Sequence, residues 1–350
     1  MRNEAERPNR DDEIELVELM QGMWRQKLWI GLVAAPIVAI GVAYALLATP
    51  VYEAKLFVQS PMQNDIAQLN YGRGGKTELP PMTVKEVYEA HVRSLQSEAV
   101  RNKFFRDVYL PSLSEEERRG SRDSLYGELG NVLKVAPAGK DSSTRFVITA
   151  SIADPQQAAA WVVTYNKIAA DNATREVLES NRSDMITKAD NLQRQIEGSK
   201  ASARKEREDR VAQLKESLAV AKSIGLEKPP LISGSPSAEV SAAMGGSLTY
   251  MRGSRALEAE IANLESRTSD EPFIEDLRDE QEMMTFYRNL QIDPSVIQVY
   301  RQDGAVEQPD RPVKPRKALI VVLSVVVGLG AGFLVAVGRE LWFRRRMNQG

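Results

Sequence analysis

The sequence predicts an α+β membrane protein in which two transmembrane helices flank one large domain. That domain is expected to combine a mixed α/β base beside the membrane with a long, extended, coiled-coil-like helix. Three observations predict this. Residues 28–48 and 318–338 are uncharged apolar runs, each long enough at ~1.5 Å per residue to cross a hydrocarbon core of ~30 Å. From Asp154-Pro155 to Ile224 there is no further proline and a single glycine, Gly198, so one helix can run for on the order of 100 Å. Strand-like segments adjoin both apolar runs, which suggests that the first and last strands share a membrane-proximal sheet.

Composition narrows the chemistry. The 350 residues are 43% hydrophobic and 27% charged, enough to bury a core, although much of the apolar content sits in the two runs. A formal net charge of -2 gives no general attraction to nucleic acid. With no cysteine there is neither a disulfide nor a zinc-thiolate site, and the single histidine, His91, rules out a two-histidine metal motif. No metal and no cofactor are expected.

Residues 1–27 are polar, with Asp11, Asp12, Glu13 and Glu15 leading into Leu16, Val17, Leu19, Met20 and Trp24. Those spacings suggest a short amphipathic helix along a membrane face. A cleaved signal peptide competes for the first run, since Ala43-Tyr-Ala45 resembles a cleavage site. The run is too long and its preceding region too acidic for that reading, so 28–48 is taken as an uncleaved span.

Lysine and arginine counts set the orientation. Residues 1–27 contain five basic residues, Arg2, Arg7, Arg10, Arg25 and Lys27, against two in 49–75, Lys55 and Arg73. The N-terminus should therefore be cytoplasmic. The second span is balanced, with Arg311, Lys314, Arg316 and Lys317 before it and Arg339, Arg344, Arg345 and Arg346 after it. Two spans return the C-terminus to the cytoplasm, leaving 49–317 outside the inner membrane, in the periplasm of a Gram-negative source, and 339–350 as a cytoplasmic tail.

Both spans carry small residues at four-residue spacing: Gly31, Ala35, Ala39 and Ala43 in the first, Ser324, Gly328, Gly332 and Ala336 in the second. Such stripes allow close backbone approach in lipid. They are candidate packing faces, either between the spans of one chain or between neighbouring subunits.

The outer domain begins with a predicted strand, 51–60, and a Gly- and Pro-rich loop, 64–81. Helical spacing of Val84, Val87, Tyr88, Val92, Leu95 and Ala99 predicts a helix over 83–108, with His91 as a structural residue on its apolar face. A shorter helix, 114–129, opens on Ser114 and three glutamates. Strands at 131–136 and 144–152 read as a hairpin about the turn 137–142. The long helix, 155–224, has a weak heptad through Leu178, Met185, Ala189, Leu192 and Ile196, which resumes at Val211, Leu214, Leu218 and Ala221. Between them the charge run 200–210 reads as a solvated tip, because its mixed signs largely cancel. A breaker-rich loop follows at 228–246, then helices at 250–264 and 272–290 and a last strand at 296–301. The base is thus assigned to about 49–154 and 250–317.

No catalytic pattern survives inspection. Gly74-Gly-Lys-Thr77 looks like the tail of a phosphate-binding loop, but the first glycine is replaced by Asn70 and Pro80-Pro81 forbids the helix that should follow. Ser202-Ala-Arg-Lys205 matches a serine acyl-enzyme spacing inside the charge run, without companion motifs. Asn172-Ala-Thr174 and Asn181-Arg-Ser183 are glycosylation sequons only in a eukaryotic secretory setting. Glu258 and Glu260 sit on opposite flanks of a helix and cannot converge as acid and base. A non-catalytic protein is expected, and a helix too thin to bury itself suggests side-by-side assembly of subunits.

Cytoplasmic stub, span, long coiled domain and second span together resemble a known family. The stretch from Tyr250 to Ile261, with Gly253, Ala256 and Leu257, and the collar with Pro309, Pro312 and Pro315 before a glycine-rich span carry the likeness most specifically. The chain resembles the Wzz chain-length determinants of lipopolysaccharide O-antigen, the class 1 polysaccharide co-polymerases. That resemblance implies a membrane-proximal α/β base, a long helix projecting into the periplasm, a bell-shaped homo-oligomer, and association with the Wzy polymerase to set modal chain length; the helix 155–224 is expected in the outer part of the oligomer. It admits the growing lipid-linked polysaccharide as a further partner, besides inner-membrane lipid. A co-polymerase for capsule, exopolysaccharide or enterobacterial common antigen is the nearest alternative. A two-span sensory receptor would need a cytoplasmic output domain, for which tails of about 27 and 12 residues leave no room. An enzyme of polysaccharide synthesis would need a site cluster.

Overall fold

The computed structural model describes residues 27–139, 144–230, 246 and 248–347. The amphipathic segment at 13–24, part of the turn at 137–142 and most of the loop at 228–246 lie outside the described residues. Two compact units divide the chain. One holds the described residues up to Asp65, Val84–Thr174 and those from Gln298 onward, and the other holds Ile66–Thr83 and Arg175–Ile297.

The first unit is built on a four-stranded antiparallel sheet in the order β2-β3-β1-β4. Its strands are β1 (Tyr52–Gln59), β2 (Leu133–Pro137), β3 (Arg145–Ile152) and β4 (Arg301–Gln302). Ala54 pairs with Ala150, Leu56 with Ile148 and Val58 with Phe146, and all six are buried. Period-two alternation thus gives the sheet one apolar face. Its core includes residues of α2 (Val84–Gln96), α3 (Glu98–Phe104), α4 (Arg122–Val132) and the first turns of α5 (Pro155–Ser223). Phe104 stands edge-on to Trp161 and Tyr165, with ring centroids 5.7 and 5.5 Å apart. Buried hydroxyls find carbonyls, Tyr88 donating to Val58 O at 3.1 Å and Tyr165 to Leu95 O at 2.7 Å.

Three sequence expectations change here. The single helix over 83–108 is two, because Ser97 adopts an extended conformation and its Oγ accepts from Ala99 N to cap α3. A π-turn at Phe105–Tyr109 then buries both of its end residues. The helix expected to open on Ser114 does not start there: Ser114 and Glu117 bond reciprocally, yet they open only a 3-10 turn, Glu117–Arg119, and α4 starts at Arg122. The expected strand at 296–301 shrinks to β4, since Asp293 and Pro294 open a 3-10 turn instead.

The second unit is helical. α6 (Ser254–Ser266) packs on the far part of α5 through Leu214, Ala221, Leu257 and Ile261. α7 (Leu277–Asn289) packs on its middle part, with Tyr287 against Met185, Ala189 and Leu192. The charge run is mostly exposed, as expected, but it is not a tip: it lies in mid-helix beside other elements. Lys200 pairs with Glu271 at 2.5 Å, Arg207 with Asp270 at 3.0 Å and Arg210 with Glu260 at 3.7 Å. Here the mixed signs serve packing against the returning α6 and the α6–α7 connection.

Candidate functional site at the paired spans and their sheet

Among the described residues two helices are long and apolar enough to cross a membrane, α1 (Lys27–Leu47) and the Lys317–Arg339 part of α8 (Lys317–Met347). They pack on one another, and glycines set their approach. A Cβ on Gly328 would lie 3.2 Å from Ala34 O, and one on Gly332 would lie 2.8 Å from Ile30 O. One on Gly41 would meet Ser324 Cβ at 2.5 Å. Any larger side chain at Gly332 must push the backbones apart.

The two predicted stripes fare differently. Ser324, Gly328, Gly332 and Ala336 line the side of α8 that meets α1, and the last three are buried. Gly31, Ala35, Ala39 and Ala43 lie on the exposed side of α1. The residues of α1 turned to α8 include Ile30, Ala34 and Gly41, displaced from that stripe by about a quarter turn of helix. Four-residue spacing identifies a stripe without saying which of its two possible neighbours, the other span or another subunit, it meets.

Above the spans the chain enters and leaves the sheet side by side. Val51 N donates to Lys314 O at 2.9 Å and Val313 N donates to Val51 O at 2.8 Å. β4 then pairs with β1 at Gln302–Val58 and Arg301–Gln59. Arg145 fastens this edge, bound to Asp303 at 2.6 Å and lying 4.5 Å above the Phe57 ring. Pro309 and Pro315 are half-buried and Pro312 is exposed, within the segment between β4 and α8. Lacking N–H groups, they keep it from becoming a further strand.

The other family-like residues lie in the second unit. Gly253 has φ +85°, and a Cβ there would sit 2.7 Å from Glu227 O. Ser254 N donates to Leu226 O at 2.9 Å, so the glycine lets the start of α6 lie directly on the turn after α5. Leu257 is fully buried while Ala256 is exposed.

The motifs set aside have structural partners. Gly74–Thr77 is a 3-10 turn closed by Gly74 N to Leu79 O at 2.8 Å and by the Thr77 hydroxyl to Gly74 O at 2.7 Å. Glu258 pairs with Lys222 at 2.6 Å. Asn172 donates to Ser94 Oγ at 3.1 Å, and Asn181 donates to Leu69 O at 2.8 Å.

Sequence reasoning left His91 without partners. The structure buries it completely, stacks it on Tyr300 at 4.6 Å, and sets its Nε2 3.1 Å from Asn166 Oδ1. Burial lowers its pKa to about 4, with the Asn166 hydrogen bond opposing. Burial likewise pushes the Tyr88 hydroxyl up to about 12. Tyr300 immediately precedes β4, so the cluster ties the exit strand to α2 and α5. Residues 75 or more positions apart make it, and no local pattern could reveal it.

Comparison with known proteins agrees with this architecture. The family described as "Wzz: Chain length determinant protein" matches residues 12–108. A chain length determinant protein of Escherichia coli O111:H- is 23% identical over 343 residues, covering 97% of this chain and 95% of its own length. A solved full-length bacterial polysaccharide co-polymerase superposes with a TM-score of 0.67 at 19% identity, covering 94% of this chain and 98% of its own. A structure described as a Wzz dodecamer fitted to a cryo-EM map gives a TM-score of 0.50 at 15% identity, over 74% of this chain and 98% of its own. The chain is thus similar to chain length determinant proteins along nearly its whole length, with a match to the Wzz family over residues 12–108, and its fold is that of the solved polysaccharide co-polymerase.

Proposed function

We propose that this chain sets the modal length of a bacterial lipopolysaccharide O-antigen, acting as a non-catalytic, oligomeric co-polymerase beside the Wzy polymerase in the inner membrane. The end-to-end correspondence with chain length determinant proteins, both spans included, carries the reading. In this reading residues 1–27 and 339–350 are cytoplasmic, 28–48 and 318–338 cross the inner membrane, and 49–317 stand in the periplasm. The excess of basic residues before the first span supports that orientation. The relative described as a dodecamer supports assembly of this chain into a homo-oligomer.

Length control then works through assembly geometry. The hydrogen-bonded join of Val51 and Lys314 holds the sheet at a fixed height above paired spans. The exposed small-residue face of α1, with Gly31, Ala35, Ala39 and Ala43, brings a neighbouring subunit or the polymerase alongside.

Deletion of the gene, followed by a lipopolysaccharide ladder gel, tests the function. The expected result is polymer of unregulated length, with the modal band restored by the gene in trans. Complete loss of polymer would point to a polymerase instead, and an unchanged ladder would sink the reading.

A further inference from the structure

Phe286 is a large aromatic held in water. It is 45% exposed, whereas its neighbour Tyr287 is 2% exposed in the core between α7 and α5. Its ring is nonetheless braced. The Tyr287 hydroxyl donates to Gly72 O at 2.8 Å, and the two rings stand 5.5 Å apart at 68°. Gly72, at φ +71°, lies so close that a Cβ there would be 2.6 Å from Phe286 Cε1. A loop glycine thus fixes the aromatic without covering it, so little side-chain freedom remains to be lost on binding.

Around that ring α7 places a particular set of groups. Gln281, Glu282, Thr285, Phe286 and Asn289 recur at helical spacing on one face, and with Gln291 they line an open groove of about 750 Å³. Amide side chains both donate and accept, as sugar hydroxyls do. The ring offers an apolar plate for the C–H face of a pyranose. Gln281 is already oriented, its Oε1 accepting from Arg278 at 2.8 Å and leaving its N–H groups for another acceptor. Among the described residues no lysine or arginine lines the groove, the nearby Arg278 being paired with Glu271 at 3.1 Å, and Glu282 gives it a carboxylate. Anionic sugars are therefore repelled and uncharged ones admitted.

We infer that this face of α7 is a binding site for an uncharged oligosaccharide, which stacks on Phe286 and hydrogen-bonds through Gln281, Asn289 and Gln291. The assignment rests on the proposed function, and it gives the growing polymer a place to touch the chain outside the spans.

The test uses the full chain in lipid nanodiscs, titrated with lipid-free O polysaccharide hydrolysed from the source strain and, as charged counterpart, an oligogalacturonate. Saturation-transfer NMR reads contact. The neutral polymer is expected to bind, with Phe286→Ala weakening it about tenfold and Phe286→Trp preserving it. Glu282→Lys should admit the oligogalacturonate, a gain that misfolding cannot mimic. Equal binding by Phe286→Ala at unchanged oligomer size, oligogalacturonate binding to the wild type as tightly, or no binding at all would overturn the site. So would a photo-crosslinker at Thr285 that joins α7 to a second copy, because the face would then be a subunit interface. If the gene still restores modal length while these titrations stay flat, the groove assignment fails alone and the proposed function stands.

Discussion

His91 Nε2 lies 3.1 Å from Asn166 Oδ1, a buried pair at the centre of the contact that joins α2, α5 and the half-buried Tyr300 before β4. An amide oxygen can only accept, so Nε2 carries the proton and Nδ1 is the bare nitrogen. Nδ1 has no hydrogen-bond partner among the described residues. Charging the ring would place a proton on a buried nitrogen with nothing to receive it.

Stability should therefore fall with acid over a defined window. The folded pKa of His91 is about 4 and its ordinary value about 6.5, so between those values the unfolded chain binds the extra proton. The contribution is complete above the unfolded value, declines as pH drops toward the folded one, and amounts to roughly 3 kcal/mol. Denaturant unfolding of the purified chain at several pH values, compared with His91→Gln, checks this. The variant should lose most of the slope between pH ~6.5 and ~4; an identical slope would refute the assignment. Carboxylates held low by partners, such as Glu271 by the Lys200 hydrogen bond and Asp293 by its Ser295 hydrogen bonds, act at lower pH and affect both proteins alike.

The spans offer a test by oxidation. An ideal Cβ on Gly328 would stand 3.4 Å from Ala34 Cβ, close to the disulfide range of ~3.5–4.5 Å. The chain has no cysteine of its own, so Ala34→Cys with Gly328→Cys should cross-link within one chain under mild oxidant. Gly31→Cys with Gly328→Cys should not. Cross-linking of the second pair in preference to the first would reject the helix register.

Gly332→Leu should separate the helices, because even a Cβ meets Ile30 O at 2.8 Å. On a ladder gel the modal band should be lost or shifted, and an unchanged mode would count against the spans as a functional contact. Gly31→Leu supplies the contrast. Its Cβ meets nothing within 4 Å among the described residues, so a comparable loss there would identify the exposed stripe as a contact with another subunit or the polymerase.

In the second unit, Arg207 and Asp270 form a pair with side chains only 19% and 10% exposed, and Arg207 also donates to Leu264 O at 3.0 Å. Arg207→Leu should cost about 2 kcal/mol, because the part-buried Asp270 keeps only its longer 3.5 Å pair with Arg267, whereas adding Asp270→Leu should recover part of it. Denaturant midpoints for the wild type, both single variants and the double variant decide. Additive losses would mean that the pair does not act as a unit.

Gly253→Ala should destabilise the turn between α5 and α6 by at least about 2 kcal/mol, because φ +85° and the nearby Glu227 carbonyl both oppose a side chain. Proteolysis near that turn should accelerate. A variant as resistant as the wild type would show that the backbone shifts freely.

The sequence by itself determined what is periodic or covalent. Uncharged runs of span length, the helix with Pro155 in its first turn and the β2–β3 hairpin are local signals, and the structure keeps them within a few residues. Tertiary structure alone decided which side of α1 faces α8, because a four-residue stripe carries no rotational label. It also gave the charge run its partners on α6 and the connection after it, which composition had read as solvent. The His91–Asn166–Tyr300 contact and the braced ring of Phe286 depend on residues brought together from distant positions. Their chemistry is fixed by burial and by approach between elements, quantities that arise only once the chain has folded.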